Sequence, residues 1–127
     1  MSEHSHQCAL FAWARQPTVI AKYPAIKWLE GSINGVKLTK LAAMGAKRAG
    51  LIAGVHDVTL KSRAKGFSGL SIELKLPDRR KEKDGGMSAS QLEYGDFLRS
   101  NGWSVHYCYG WDEAKKVIEW YLGDEQQ

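Results

Sequence analysis

Apolar residues recur every three or four positions in three stretches of the chain, which is the spacing of an amphipathic α-helix. These stretches predict helices over 2–15, 88–101 and 112–122. Ser2 and Ser88 stand where a side chain would cap the first two helices. A further helix is predicted over the basic stretch 37–48, a helical or irregular segment over 25–30, and a turn over 31–35.

The pattern changes to strict alternation in the middle of the chain. Leucine and isoleucine at 70, 72, 74 and 76 alternate with polar residues, which predicts a strand with one buried and one exposed face. Further strands are predicted over 55–60 and 103–109. A helix separates the last two strands, and a strand–helix–strand unit usually forms a parallel crossover. We therefore expect an α/β fold with a mixed central sheet flanked by helices.

The composition is that of an ordinary globular protein rather than a disordered one. The 127 residues are 43% hydrophobic and 25% charged, which suits a single domain over 1–127. Cys8 and Cys108 are too few and too far apart for a disulfide framework or a zinc site. No apolar run approaches the ~20 residues that a membrane span needs, and the first helix is not an export leader. We expect a cytoplasmic protein without a membrane partner.

Charge is distributed unevenly along the chain. Residues 1–84 carry a net charge of +8 and residues 85–127 a net charge of −4. The densest basic cluster is Lys37, Lys40, Lys47, Arg48, Lys61, Arg63 and Lys65. Such a cluster fits a polyanionic partner, because each Lys or Arg placed on a phosphate releases counterions. Charge alone, however, favours a solvated face without a partner.

Three side chains in the predicted strands suggest chemistry. Alternation places Glu73 and Lys75 on one strand face, about 7 Å apart, where such a pair is usually a surface ion pair. Asp57 changes this interpretation, because two neighbouring strands can present Asp57 and Glu73 side by side. Adjacent carboxylates repel each other unless a cation intervenes, and Mg²⁺ or Mn²⁺ prefers oxygen ligands of this kind. Lys75 would then lie beside the metal and favour a deprotonated water or the negative charge of a pentavalent phosphate.

The segments that carry these residues resemble the VRR-NUC domain, the virus-type replication-repair nuclease branch of the PD-(D/E)XK superfamily. They are GVHD at 54–57, GLSIELK at 69–75, and SASQ at 88–91, followed by Gly102-Trp103. An ordered Asp, ExK and helical Gln is a more specific signal than a single D…ExK match. The remainder of the chain is similar to small stand-alone members, often encoded by phages. The resemblance implies a PD-(D/E)XK core and the cytosol of a bacterium or a phage-infected host.

The resemblance also implies roles for particular residues of the two strand segments. Asp57 and Glu73 resemble the metal-binding carboxylates, and the backbone carbonyl of Leu74 is expected as a further ligand. Lys75 resembles the catalytic lysine. His56 stands where the family usually has proline, and the departure leaves the chemistry intact because the proline is not a ligand.

Two further residues are implied by the resemblance but also have local explanations. Gln91 resembles the glutamine on the helix after the core strands that typifies this branch, while capping of that helix together with Ser88 explains it equally well. Glu3 resembles an acidic residue that the first helix often adds to the metal site. A favourable charge at a helix N-terminus is nearly as good an explanation for Glu3.

The function implied is that of a Mg²⁺- or Mn²⁺-dependent DNA endonuclease acting in replication or repair. The basic residues of 37–48 and 61–65 would hold the duplex backbone without reading sequence. Small members resemble Holliday-junction resolvases in organisation, so we expect a branched or four-way-junction substrate. Symmetric cleavage of a junction needs two active sites, which predicts a homodimer, with Trp111, Trp120 and Tyr121 on a candidate dimer face. The alternatives are a catalytically silent DNA-binding module and a nuclease for flaps or other branched DNA.

Overall fold

The structure, a computed structural model, describes residues 1–32 and 38–124. Its helices and strands, in chain order, are α1 (Glu3–Ala14), α2 (Pro17–Lys22), β1 (Glu30–Gly31), α3 (Lys40–Arg48), β2 (Val58–Leu60), β3 (Leu70–Lys75), α4 (Ala89–Ser100), β4 (Ser104–Tyr109) and α5 (Trp111–Leu122). Short 3₁₀ helices span Pro24–Trp28, Pro77–Lys81 and Lys83–Gly86.

The strands form one mixed sheet in the order β1-β2-β3-β4. β1 and β2 pair antiparallel, as do β2 and β3, whereas β3 and β4 pair parallel across the connection through α4. The parallel pair has the strand–helix–strand connection that the sequence predicts. The predicted fold class, an α/β fold with a mixed central sheet and flanking helices, is confirmed.

The apolar face of β3 lies at the centre of the hydrophobic core. Leu70, Ile72 and Leu74 are at most 1% exposed, and α1 and α5 pack over this face. The helices contribute further buried residues to the same cluster, namely Leu10, Ala14, Ala114, Ile118 and Tyr121. Burial of these side chains in one cluster fixes the position of α1 against the sheet, and α1 carries Glu3 at its first residue.

The opposite face of β3 is buried as well, so the prediction of a half-exposed strand is wrong. Ser71, Glu73 and Lys75 are 0%, 3% and 6% exposed. This face is covered by α4, whose Gly95 packs against the hydroxyl of Tyr107 in β4 so closely that a Cβ atom would collide with it. Three polar side chains are therefore enclosed between sheet and helix, where each needs a partner.

The helix predictions are confirmed to within one residue at most ends. Both predicted caps form, since the Ser2 hydroxyl accepts from the Ser5 amide at 3.0 Å and the Ser88 hydroxyl from the Gln91 amide at 3.1 Å. The strand predicted over 55–60 is shorter than expected and begins at Val58. In the predicted turn over 31–35, Gly31 ends β1 and Ser32 follows it, while the remaining residues lie outside the described part of the chain, as does Lys37. None of the described helices is both long and apolar enough to cross a membrane.

Candidate active site

The antiparallel pairing of β2 with β3 brings two carboxylates together. Val58 pairs with Ile72, so the same register continued by one residue sets Asp57 opposite Glu73. The Leu74 amide donates to Oδ2 of Asp57 at 2.8 Å, which ties this side chain to β3. Both carboxylates are largely buried, with Asp57 7% exposed and Glu73 3% exposed. The sequence-based expectation that Asp57 and Glu73 lie side by side matches this geometry.

Burial and mutual repulsion change the acidity of the pair. Loss of hydration, followed by the nearby charge of Asp57, raises the pKa of Glu73 from 4.5 to about 9. Burial also raises the pKa of Asp57, although the hydrogen bond from Leu74 opposes this change. Without a metal ion the two carboxyl groups therefore retain a proton at neutral pH, and a bound divalent cation would have to displace that proton.

Lys75 is the closest cation to the pair among the described residues. Its Nζ atom lies 3.8 Å from Oε2 of Glu73, and its side chain is 7% exposed. The two side chains project from the same face of β3 and converge, which brings their charged ends closer than the 7 Å spacing of their backbone positions. The positive charge of Lys75 opposes the rise in the pKa of Glu73.

Gln91 makes two contacts, one within the cap of α4 and one with the carboxylate pair. Its Oε1 atom accepts from the Ser88 amide at 2.9 Å, which completes the capping box at the start of α4. Its Nε2 atom donates to Oε2 of Glu73, also at 2.9 Å. A single side chain thus caps the helix and orients a carboxylate on the sheet.

His56 is fully buried, although the sequence offers no definite role for it. Its Nδ1 and Nε2 atoms lie 2.8 Å from the Ser71 hydroxyl and 3.0 Å from the Gln91 carbonyl. A carbonyl only accepts, so Nε2 carries the proton, and Nδ1 can accept from Ser71. Burial lowers the pKa of His56, which favours this neutral form. His56 joins β3 to the first turn of α4 and fixes the backbone from which Gln91 extends.

Glu3 and Asp57 contribute to a cleft of about 240 Å³ at this end of the sheet. Its other lining residues are Ala53, Gly54, Val55, Glu73, Ser88 and Gln91. The carboxylate of Glu3 accepts from Nη1 of Arg79 at 3.2 Å, an ion pair that the sequence does not predict. Glu3 therefore lies at the edge of the site, and its carboxylate is paired with a guanidinium.

The donor set of the cleft fits a hard divalent cation. Oε1 of Glu73 is buried and no hydrogen-bond donor of the described residues reaches it, while Asp57 supplies a second carboxylate beside it. Within 1–32 and 38–124, no three His, Cys, Asp or Glu side chains converge on one point. Mg²⁺ commonly binds proteins through one or two carboxylates and retains several waters, so two carboxylates and a backbone carbonyl are a sufficient protein contribution.

The predicted nucleic-acid-binding residues that the structure describes belong to two segments, α3 and the loop after β2. Lys40, Lys47 and Arg48 lie on α3, shortly before the cleft-lining residues 53–55. The 61–69 loop instead lies at the far end of β2 and β3, about 10 Å along the strands from Asp57 and Glu73.

Two lysines of the far loop also have structural partners. Lys61 pairs with Glu30 at 3.3 Å. Lys65 donates to the Gly123 carbonyl at 2.7 Å, which caps the end of α5. Arg63 is exposed in the same loop. The 61–65 segment therefore lies away from Asp57 and Glu73, and two of its three cations have partners within the fold.

The candidate dimer face includes one residue that the fold buries. Tyr121 is 0% exposed, and its hydroxyl donates to the Ser62 carbonyl at 2.6 Å. It belongs to the core and cannot contact a second subunit, so its assignment to the dimer face is wrong. Trp120 is 46% exposed and Trp111 is half-buried.

Comparison with known proteins supports the fold. No protein-family model matches the sequence, and no curated protein matches it. A solved structure described as "VRR_NUC domain protein" aligns with this chain at a TM-score of 0.70 and 24% sequence identity, covering 98% of this chain and 92% of that chain. The chain has the fold of a VRR_NUC domain protein. The resemblance seen in the sequence is thus confirmed at the level of the VRR_NUC fold.

Proposed function

We propose that the protein is a Mg²⁺- or Mn²⁺-dependent endonuclease that hydrolyses phosphodiester bonds of DNA. The observation that carries the proposal is the environment of Glu73. This buried carboxylate contacts Lys75 and Gln91 through Oε2, lies beside Asp57, and leaves Oε1 without a donor next to an open cleft. A structural ion pair would not require a second carboxylate at the same point. The VRR_NUC fold of the chain is consistent with this reading.

In this proposal, Asp57, Glu73 and the Leu74 carbonyl hold the metal ion. When bound, the ion supplies positive charge that favours a nucleophilic water and offsets charge on the scissile phosphate. Gln91 donates to Oε2 of Glu73, while Oε1 accepts from no donor of the described residues. The Lys75 ammonium, 3.8 Å from the same carboxylate, is placed to donate to a phosphate oxygen or to the attacking water.

We further propose a branched substrate, such as a four-way junction, and a homodimer that cuts it on two strands. One copy of the chain offers one pair of carboxylates, and paired cuts across a symmetric junction need two. Lys40, Lys47 and Arg48 on α3 would bind the duplex backbone beside the cleft. Contacts of this kind position DNA without reading its bases, which suits recognition by shape.

The test is cleavage of labelled DNA by the purified protein. A four-way junction, a flap and a linear duplex are incubated with Mg²⁺, Mn²⁺ or EDTA, and products are separated on denaturing gels. We expect metal-dependent cleavage of the junction, at least ~10²-fold slower for Lys75→Met. Glu73→Gln should abolish cleavage. Its matched control, Glu93→Gln, replaces an exposed carboxylate on α4 and should cut normally.

Each alternative has its own result in the same experiment. If no substrate is cleaved in a metal-dependent way, the proposed nuclease activity is contradicted. Binding of DNA without cleavage identifies a catalytically silent DNA-binding module. Cleavage of flaps alone identifies a different branched-DNA nuclease. A monomeric mass by light scattering, together with cuts on one strand only, contradicts the dimer.

A further inference from the structure

A second group of basic residues lies at the same end of the sheet as the carboxylates. β3 ends at Lys75 and is followed by the 3₁₀ helices Pro77–Lys81 and Lys83–Gly86. We call residues 77–86 the basic loop. Its cationic residues are Arg79, Arg80, Lys81 and Lys83. Sequence reasoning identifies 77–86 as a charged loop and assigns it no role.

The basic loop touches the rim of the cleft. Nη1 of Arg79 lies 3.2 Å from the carboxylate of Glu3, and Glu3 lines the cleft together with Asp57 and Glu73. This contact brings the loop next to the carboxylates, whereas the 61–69 loop lies beyond the other end of β3. The basic loop therefore borders the cleft at Glu3.

Several contacts hold the loop in one conformation. Nη2 of Arg79 donates to the Gly86 carbonyl at 3.2 Å, and the Tyr109 hydroxyl donates to the Gly85 carbonyl at 2.7 Å. The guanidinium of Arg80 lies 4.4 Å above the ring of Tyr109 and pairs with Glu113. A surface that is already ordered loses less conformational entropy when it binds a ligand.

The anchoring contacts leave two cations available at the surface. Lys81 and Lys83 are exposed, and neither forms an ion pair with any residue in the described part of the chain. Glu82, between them in sequence, is held by Arg79 at 3.1 Å. Asp78 and Asp84 are exposed too, so the loop offers separate cationic groups rather than a uniformly positive field. Separate lysines suit contacts with individual phosphates.

We propose that the basic loop binds the nucleic-acid backbone on one side of the scissile phosphate, through Lys81 and Lys83. This inference rests on the proposed nuclease function and adds a phosphate-binding surface to it. Lys61, Arg63 and Lys65, at the far end of the strands, do not belong to this surface.

The test compares two double variants of equal charge. Lys81→Ala with Lys83→Ala removes the proposed contacts, while Lys22→Ala with Lys27→Ala removes exposed lysines near the opposite end of α1 from Glu3. Binding to a fluorescent four-way junction is measured by anisotropy in EDTA, over a series of salt concentrations. Circular dichroism and thermal unfolding establish that both variants fold.

For the loop variant we expect binding at least about 10-fold weaker near 0.1 M salt, and a salt slope smaller by about 1 to 2, since each phosphate contact contributes about 0.9. The control variant should keep the wild-type slope. Equal losses in both variants, or wild-type binding by the loop variant, would overturn the inference. If the wild-type protein neither binds nor cuts any DNA, the proposed nuclease function fails instead.

Discussion

Replacement of Glu73 by glutamine should stabilise the metal-free protein while abolishing the activity proposed for it. Burial and the neighbouring Asp57 raise the pKa of Glu73 from 4.5 to about 9. At pH values between 4.5 and about 9, the folded protein holds a proton that the unfolded chain releases. The free energy of unfolding therefore falls as the pH rises through this range. Below pH 4.5 both the folded and the unfolded chain hold the proton, so the raised pKa does not lower the stability. One pKa unit corresponds to about 1.4 kcal/mol, which gives a penalty of roughly 4 kcal/mol at pH 7.5.

Glutamine has the shape of protonated glutamate and no proton to lose. In EDTA at pH 7.5 we therefore expect the free energy of unfolding of Glu73→Gln to exceed that of the wild type by roughly 2–4 kcal/mol, with the difference below about 1 kcal/mol at pH 5. Urea unfolding followed by circular dichroism measures both values. Addition of Mn²⁺ should stabilise the wild type and leave the variant unchanged, because the ion binds the folded state through Glu73.

The matched control is Glu93→Gln, which removes an exposed carboxylate from α4. Its stability relative to wild type should not change between pH 5 and pH 7.5 by more than a few tenths of a kcal/mol, as usual for surface substitutions. A Glu73→Gln protein that is no more stable than wild type in EDTA at pH 7.5 would refute the reasoning. So would a stability difference that is the same at both pH values.

Three further predictions follow from the same region. Lys75→Met should retain the stabilisation by Mn²⁺, measured by thermal unfolding, but cleave DNA at least ~10²-fold more slowly, and loss of the Mn²⁺ effect would contradict a role in catalysis alone. His56→Leu should lower the free energy of unfolding in urea by about 2–4 kcal/mol, because the Gln91 carbonyl and a buried hydroxyl each lose a partner. Gly95→Ala should cost about 1–3 kcal/mol by the same measurement, since a Cβ there collides with Tyr107, whereas Gly45→Ala on α3 meets no neighbour and should be neutral or stabilising.

The sequence alone predicts the elements whose signals are local. The 3.6-residue and two-residue periods identify α1, α4, α5, β3 and β4 nearly to the residue, because amphipathic elements in a small domain must turn one face to the core. Ser2 and Ser88 cap their helices as predicted, since a cap needs only the next three residues.

The order of residues also predicts the pairing of Asp57 with Glu73. Two consecutive strands joined by a short loop are adjacent in most folds, and adjacency is sufficient to bring these carboxylates together. The burial of β3, by contrast, is not predicted correctly, because its alternating pattern indicates an exposed polar face. Only the packing of α4 shows that Ser71, Glu73 and Lys75 are buried, and burial is what raises the pKa of Glu73.

Contacts between residues far apart in the chain are decided by the tertiary structure alone. The role of His56 depends on Ser71 and Gln91, and the position of Glu3 depends on Arg79. Charge patterning groups Lys61, Arg63 and Lys65 with the other basic residues, although β2 and β3 carry them to the end of the strands away from Asp57 and Glu73. Side-chain type and spacing specify what chemistry a residue can perform, whereas the distance between two residues separated by dozens of positions is set by the packing of the whole core.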